Sequence, residues 1–182
     1  MRAAFIVFDG MTALDFIGFY DPLTRLKSMK IMENFNWNVC ALQDEIVDDR
    51  GLKLAPNCVG GALESYDMLV IPGGYGTRKL RHEPEFMEWI ASAAAVPIKV
   101  SVCTGALILG AAGYLKGRRA TTHPSAYDEL APYCATVVRE RVVDEGDVIT
   151  ARGVSSAIDM GLHIVERLAG REARTRIATQ VD

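Results

Sequence analysis

The chain lacks most of what marks a secreted, membrane-bound or nucleic-acid-binding protein. It has no apolar stretch near the ~20 residues a bilayer crossing needs. The run Ala3-Ala4-Phe5-Ile6-Val7-Phe8 stops at Asp9-Gly10, too short for a signal core with a cleavage site. It has no long basic run, and a net charge of −3 argues against nucleic acid as partner. The pair Arg118-Arg119, after Gly117 and before Ala120-Thr121-Thr122, reads as a solvated turn leading into a strand. The 4 cysteines (Cys40, Cys58, Cys103, Cys134) show no C-x-x-C spacing and no histidine pattern for zinc. No metal site is expected, and the location implied is cytoplasmic, with reduced thiols and no membrane. No Pro/Ser-rich linker, internal repeat or low-complexity tract divides the chain, so residues 1–182 are read as one domain.

What is present is a core and a rhythm. Hydrophobic residues make up 49% and charged residues 24%, ordinary for a globular protein. Strand-length apolar runs (Ala3–Phe8, Trp37–Leu42, Met68–Ile71, Ile98–Val102) alternate with helical periods. Asp15–Met29 sets Phe16, Phe19, Tyr20, Leu23 and Leu26 near one face, and Asp48-Asp49-Arg50-Gly51 reads as a polar hairpin. A helix begins at Pro84, with Phe86, Trp89, Ile90, Ala93 and Ala94 as its stripe. Ser155–Ala169 is helical and ends at Gly170. Strands alternating with helices imply βαβ units, and apolar strands imply a sheet covered on both faces. The expected fold is α/β: a three-layer sandwich with a mostly parallel central sheet.

In such sheets ligands bind beyond the carboxyl ends of the strands. Three features meet there: Asp15 just past the first strand, Pro72-Gly73-Gly74 past Met68–Ile71, and Cys103-Thr104 past Ile98–Val102. Strand Ile98–Val102 runs straight into Cys103-Thr104-Gly105 and a helix over Ala106–Ala112. That is the layout of a nucleophile elbow. Free amides at the helix start would favour a thiolate there. A buried structural cysteine is the plainer alternative. Cys40, inside an apolar strand, reads as core.

The combination of Asp15, Ile71-Pro72-Gly73-Gly74 and Val102-Cys103-Thr104-Gly105 resembles the ThiJ/PfpI superfamily, of the flavodoxin-like, class I glutamine amidotransferase-like fold. Ala120-Thr121-Thr122-His123-Pro124 and Val148-Ile149-Thr150-Ala151-Arg152-Gly153 match as well, so the likeness runs from the first strand to about Gly170. The resemblance implies Cys103 as nucleophile and Asp15 as the acidic residue bonded to it. It also implies the N–H groups of Gly74 and Thr104 as oxyanion donors, with Gly73 beside them. Thr104 stands where peptidase members carry histidine, which removes the adjacent base a peptidase needs. Asp15 with Cys103-Thr104-Gly105 resembles the isonitrile hydratase branch. His123-Pro124 and Thr150-Ala151-Arg152-Gly153 resemble the deglycase branch. AraC-type regulators share the Cys-Thr-Gly version but append a DNA-binding region, for which this chain leaves no room. The resemblance further implies a homodimer acting on a small electrophile.

Two chemistries follow. In the first, Cys103 attacks the terminal carbon of an isonitrile, Asp15 protonates that carbon, and Asp15 then activates water to release a formamide, with no cofactor. Asp15 and Cys103 would share a proton and titrate as a unit. The alternative for Asp15 is a helix N-cap. In the second chemistry, Cys103 attacks an α-oxoaldehyde and the Gly74 and Thr104 amides hold the oxyanion, with Asp15 or His123 moving protons. The alternative for His123 is a packed strand-end residue. A non-enzymatic reading, Cys103 as a redox sensor whose sulfinate is held by Asp15, stands beside both. His82 is assigned to a helix start, His163 to packing or surface, and Asp159 to an arginine partner.

Overall fold

The computed structural model describes residues 1–182. In chain order its elements are β1 (Arg2–Ile6), α1 (Ala13–Ser28), β2 (Asn36–Ala41), the hairpin β3 (Ile46–Val47) and β4 (Lys53–Leu54), and β5 (Cys58–Val59). Then come β6 (Met68–Ile71), α2 (Gly76–Leu80), α3 (Pro84–Ala91), β7 (Ile98–Val102) and α4 (Gly105–Ala111). The remainder holds β8 (Arg119–Ala120), α5 (Tyr127–Leu130), β9 (Thr136–Val137), β10 (Val142–Asp144), β11 (Val148–Ala151) and α6 (Ser156–Val181).

A seven-stranded sheet runs in the order β10-β11-β7-β6-β1-β2-β5. All its neighbours are parallel except β10 and β11. From β1 the chain steps outward through β2 to β5, then returns to β6 on the other side of β1 and proceeds to β7 and β11. Right-handed crossovers on opposite travel directions put helices on opposite faces. Helices α1 and α6 pack against each other on one face, while α2 and α5 both pack on α4. The expected three-layer α/β sandwich is therefore observed.

The interior strands are apolar throughout because both faces are covered. Met68, Leu69, Val70 and Ile71 of β6 are all fully buried. Phe5 on β1 meets Phe16, Phe19 and Tyr20 of α1 with ring centroids 5.2–6.3 Å apart. This aromatic contact seats α1 on the sheet and so fixes the position of its first turn.

The helix expected over Ser155–Ala169 is present, but the chain resumes a second helical segment after Gly170, whose φ of 86° breaks the first. Ala173 and Ile177 bury against the core from that extension. No helix is long and apolar enough to cross a membrane.

Candidate active site

Reversal of strand order around β1 opens a crevice at the carboxyl edge of the sheet, where the loops after β1 and β6 diverge. The loop after β7 closes its third side. Cys103 is the first residue past β7 and has φ of 55°, one of two non-glycine residues with positive φ. Such a backbone costs roughly 1–3 kcal/mol and persists only where neighbours over-determine it. Here they do. The Cys103 N–H donates to Ala151 O at 3.0 Å, and the Thr122 hydroxyl donates to Cys103 O at 2.8 Å. The elbow expected at this junction is present.

Asp15 lies in the first turn of α1, fully buried. It is not the N-cap; that position is Thr12. One carboxyl oxygen, Oδ2, accepts the Gly73 N–H at 3.0 Å. The other, Oδ1, is buried with no partner. The carboxyl and the Cys103 side chain flank Gly73, close enough for the Asp15 charge to act on the sulfur. Gly73 threads between the two. A Cβ there would stand 2.8 Å from Asp15 Oδ2, 2.7 Å from Cys103 Cβ and 2.6 Å from Thr104 N.

Burial pushes the Asp15 carboxyl up to about 7, against the opposing pull of the Cys103 and Gly73 hydrogen bonds. Burial and then the Asp15 charge push the Cys103 thiol up to about 12. The Thr104 amide and hydroxyl act in the lowering direction, as the helix-start argument expects, but burial and the carboxylate outweigh them. Above about 7 the pair therefore holds one proton, on the thiol beside a carboxylate, and below it two; it does not stand as a preformed thiolate.

Thr104 and Gly74 clamp each other. The Gly74 N–H donates to Thr104 Oγ1 at 2.9 Å, and that hydroxyl donates to Gly74 O at 3.0 Å. Gly74 can serve only as glycine, since its φ is 131° and a Cβ would fall 2.5 Å from Met11 Cα. The resemblance implied the Gly74 amide as an oxyanion donor; in the structure that N–H is committed to Thr104. The Thr104 amide faces the Cys103 sulfur.

Above the thiol is a cavity of ≈ 170 Å³, lined by Cys103, Thr104, Gly74, Thr12, Asp49, Arg50, Tyr75, Arg78, His123, Ser125 and Val154. Its outer wall was not legible in the sequence. Asp49 is held by Thr12 Oγ1 at 2.8 Å and by Arg50 at 2.7 Å, and Arg78 pairs with Glu129 at 2.7 Å. The acidic-basic hairpin turn was the one signal for Arg50; nothing local marked Tyr75 or Arg78. His123 does reach the cavity. Its Nδ1 accepts the Ser125 N–H at 3.2 Å and lies 2.8 Å from Ser125 Oγ. That pattern leaves the ring proton on Nε2, facing away from the cap. Outside the site, Asp159 pairs with Arg141 at 2.8 Å, as its chemistry required. His163 binds Asp144 at 2.7 Å.

Residues 1–167 match the model of the DJ-1/PfpI family. The chain belongs to that family. It is 32% identical to the isonitrile hydratase of Pseudomonas putida over 183 residues, covering 100% of this chain and 78% of that protein. It is also 32% identical to the Parkinson disease protein 7 homolog of Danio rerio over 115 residues, covering 62% of this chain and 61% of that one. The crystal structure of a ThiJ/PfpI family protein from Pseudomonas syringae superposes with a TM-score of 0.90 at 31% identity, over 99% of this chain and 74% of that one. The ThiJ/PfpI resemblance and its α/β fold are thereby established.

Proposed function

We infer that this DJ-1/PfpI protein hydrates a small isonitrile to an N-substituted formamide, with Cys103 as nucleophile and Asp15 as proton relay. The observation that carries this reading is the placement of two buried groups, the Asp15 carboxyl and the Cys103 sulfur, on either side of Gly73. An isonitrile needs no more than that. As the sulfur attacks the terminal carbon, Asp15 accepts the thiol proton and returns it to the same carbon, giving a thioimidate on Cys103. Asp15, ionised again, then takes a proton from an incoming water. The carbon–sulfur bond breaks, nitrogen is protonated, and formamide and free thiol result. The carbon bonded to sulfur is the substrate atom set next to the carboxyl, so one acid–base group serves both halves. No cofactor enters this scheme.

The aldehyde chemistry fits less well. It develops an oxyanion, and the Gly74 amide that would hold it is bonded to Thr104. It also calls on His123 as a base, while the accepting nitrogen of His123 is engaged with Ser125. The cavity, near 170 Å³, is smaller than typical drug-sized pockets of about 300–1,000 Å³, and Asp49, Arg50, Arg78 and His123 are in its lining. A compact substrate with a polar substituent suits it better than a bulky apolar one.

The resemblance to a dimeric family and the exposure of Leu14 and Ile17 on α1 support a homodimer. Unpaired cysteines at all four positions support a cytoplasmic setting.

The deciding experiment assays purified protein with an alkyl isonitrile, an isonitrile bearing a carboxylate, and methylglyoxal. Hydration of either isonitrile, unchanged within a few fold in His123→Ala, is expected. Turnover of methylglyoxal alone, with His123→Ala as the damaging change, replaces this reading by the glyoxalase or deglycase one. Selective peroxide oxidation of Cys103 with no turnover of any electrophile replaces it by the redox sensor.

A further inference from the structure

Two cysteines far from the elbow form a pair of their own. Cys40 on β2 and Cys58 on β5 are direct register partners on adjacent parallel strands. Strands in a sheet lie about 4.7–4.9 Å apart, inside the Cα separation of about 4.4–6.8 Å that a disulfide requires. The two side chains share a face, because both sulfurs reach one hydroxyl: Tyr66 Oη is 3.5 Å from Cys40 Sγ and 3.9 Å from Cys58 Sγ. Arg2 stands over this group, with its guanidinium 4.3 Å from the Tyr66 ring centre and Nη2 donating to Tyr66 Oη at 3.3 Å. Arg2 acts on the Cys40 thiol in the lowering direction, but burial outweighs it and pushes that thiol up to about 12.

The two thiols differ in access. Cys40 is fully buried, and Cys58 is half-buried on the last strand of the sheet. That strand is two residues long and is tied to β2 by few bonds, among them Asn57 N–H to Val39 O at 3.0 Å and Gly60 N–H to Ala41 O at 2.9 Å. An edge so lightly held is free to adjust as a bridge closes. Strands β1 and β6 separate β2 from β7, so this pair is remote from Cys103.

We propose that Cys40 and Cys58 are a redox-active dithiol, closed to an intrachain disulfide by peroxide or by a small-molecule disulfide. With peroxide, the Cys58 sulfur displaces one oxygen as hydroxide and becomes a sulfenic acid. Cys40 then attacks that sulfur and a second oxygen leaves as water. The two thiols lose two hydrogens and the peroxide is reduced to two waters. Tyr66 Oη, between the sulfurs, can pass the Cys40 proton outward. A bridge across directly paired strands is strained and therefore readily reduced, the behaviour of a labile disulfide and not of a structural one. It would also close the segment that carries the Asp49-Arg50 turn of the cavity wall.

The test treats the full chain with oxidised glutathione or dilute peroxide, blocks free thiols, and maps peptides without reduction. Cys40 and Cys58 are expected in one crosslinked species, two hydrogens lighter, in wild type and equally in Cys103→Ala. It should reopen fully with dithiothreitol. In Cys40→Ala the crosslink should vanish and Cys58 should end as a glutathione adduct. Oxidation of Cys103 with Cys40 and Cys58 both recovered as free thiols would overturn the proposal. So would a lasting mixed disulfide on wild-type Cys58, or a crosslink between any other cysteines.

Discussion

Cys103 is held in a left-handed conformation by two hydrogen bonds, from its own N–H to Ala151 and from Thr122 to its carbonyl. Its sulfur opens on the cavity, while Asp15 sits beneath it out of solvent. Cys103→Ala should abolish turnover, while Cys40→Ala, Cys58→Ala and Cys134→Ala largely spare it. Equal losses across all four in folded protein would make Cys103 structural. Asp15→Asn keeps the shape and removes the titrating proton, so hydration should fall by roughly 10²–10⁴. The pH profile separates this from mere packing. Asp15 must be ionised to take the thiol proton, and it titrates at about 7. For wild type, kcat/KM should therefore rise with pH through that value and level off above it. The residual rate of Asp15→Asn should lack that limb. A wild-type profile flat across neutral pH would remove Asp15 from the proton path. At this scale the sequence was legible where chemistry sits next to backbone punctuation, as at Cys103 and Gly73. It did not show the clamp that the Thr104 hydroxyl makes on Gly74.

The element scale explains why three loops converge within hydrogen-bond range. Strands β1, β6 and β7 are parallel, with β6 paired to both others, and end at one edge. The β6 loop can pass between Asp15 and Cys103 because residue 73 has no side chain. Gly73→Ala would place a methyl 2.6 Å from Thr104 N and 2.8 Å from Asp15 Oδ2. The backbone must then retreat from the elbow. Activity should fall at least as far as in Asp15→Asn, with native secondary structure retained by circular dichroism. Wild-type rates in Gly73→Ala would show that the approach is not needed. The long apolar strands and α1, α3 and α4 were readable because their periods run for several residues. The two-residue strands β5 and β9 were not, since two residues carry no period; β8 was marked by the Gly117-Arg118-Arg119 turn before it. Arg78 and Tyr75 escaped for a related reason: they reach the cavity through tertiary packing of α2 against α4, which no local pattern records.

At the scale of the whole molecule, an unpartnered carboxyl oxygen in the core is a standing stability cost, and its sign with pH can be worked out. Asp15 has a folded value of about 7 against an ordinary 3.8. Between those values the folded protein keeps a proton that the unfolded chain has released. Folded stability contributed by this group is full below the lower value, declines as pH rises through the window, and stays low above about 7. At ~1.4 kcal/mol per pH unit the loss is on the order of 4 kcal/mol. Burial of the carboxyl is the cause, and Asp15→Asn removes the ionisation while keeping an acceptor for the Gly73 N–H. The variant should therefore be much slower yet more stable than wild type at pH ~8, with the advantage shrinking steadily toward pH ~4. Urea unfolding of both proteins across that range measures it directly. A constant difference between them at every pH would mean that Asp15 does not titrate in the window, and the single-proton pair on which the hydration mechanism rests would fail with it.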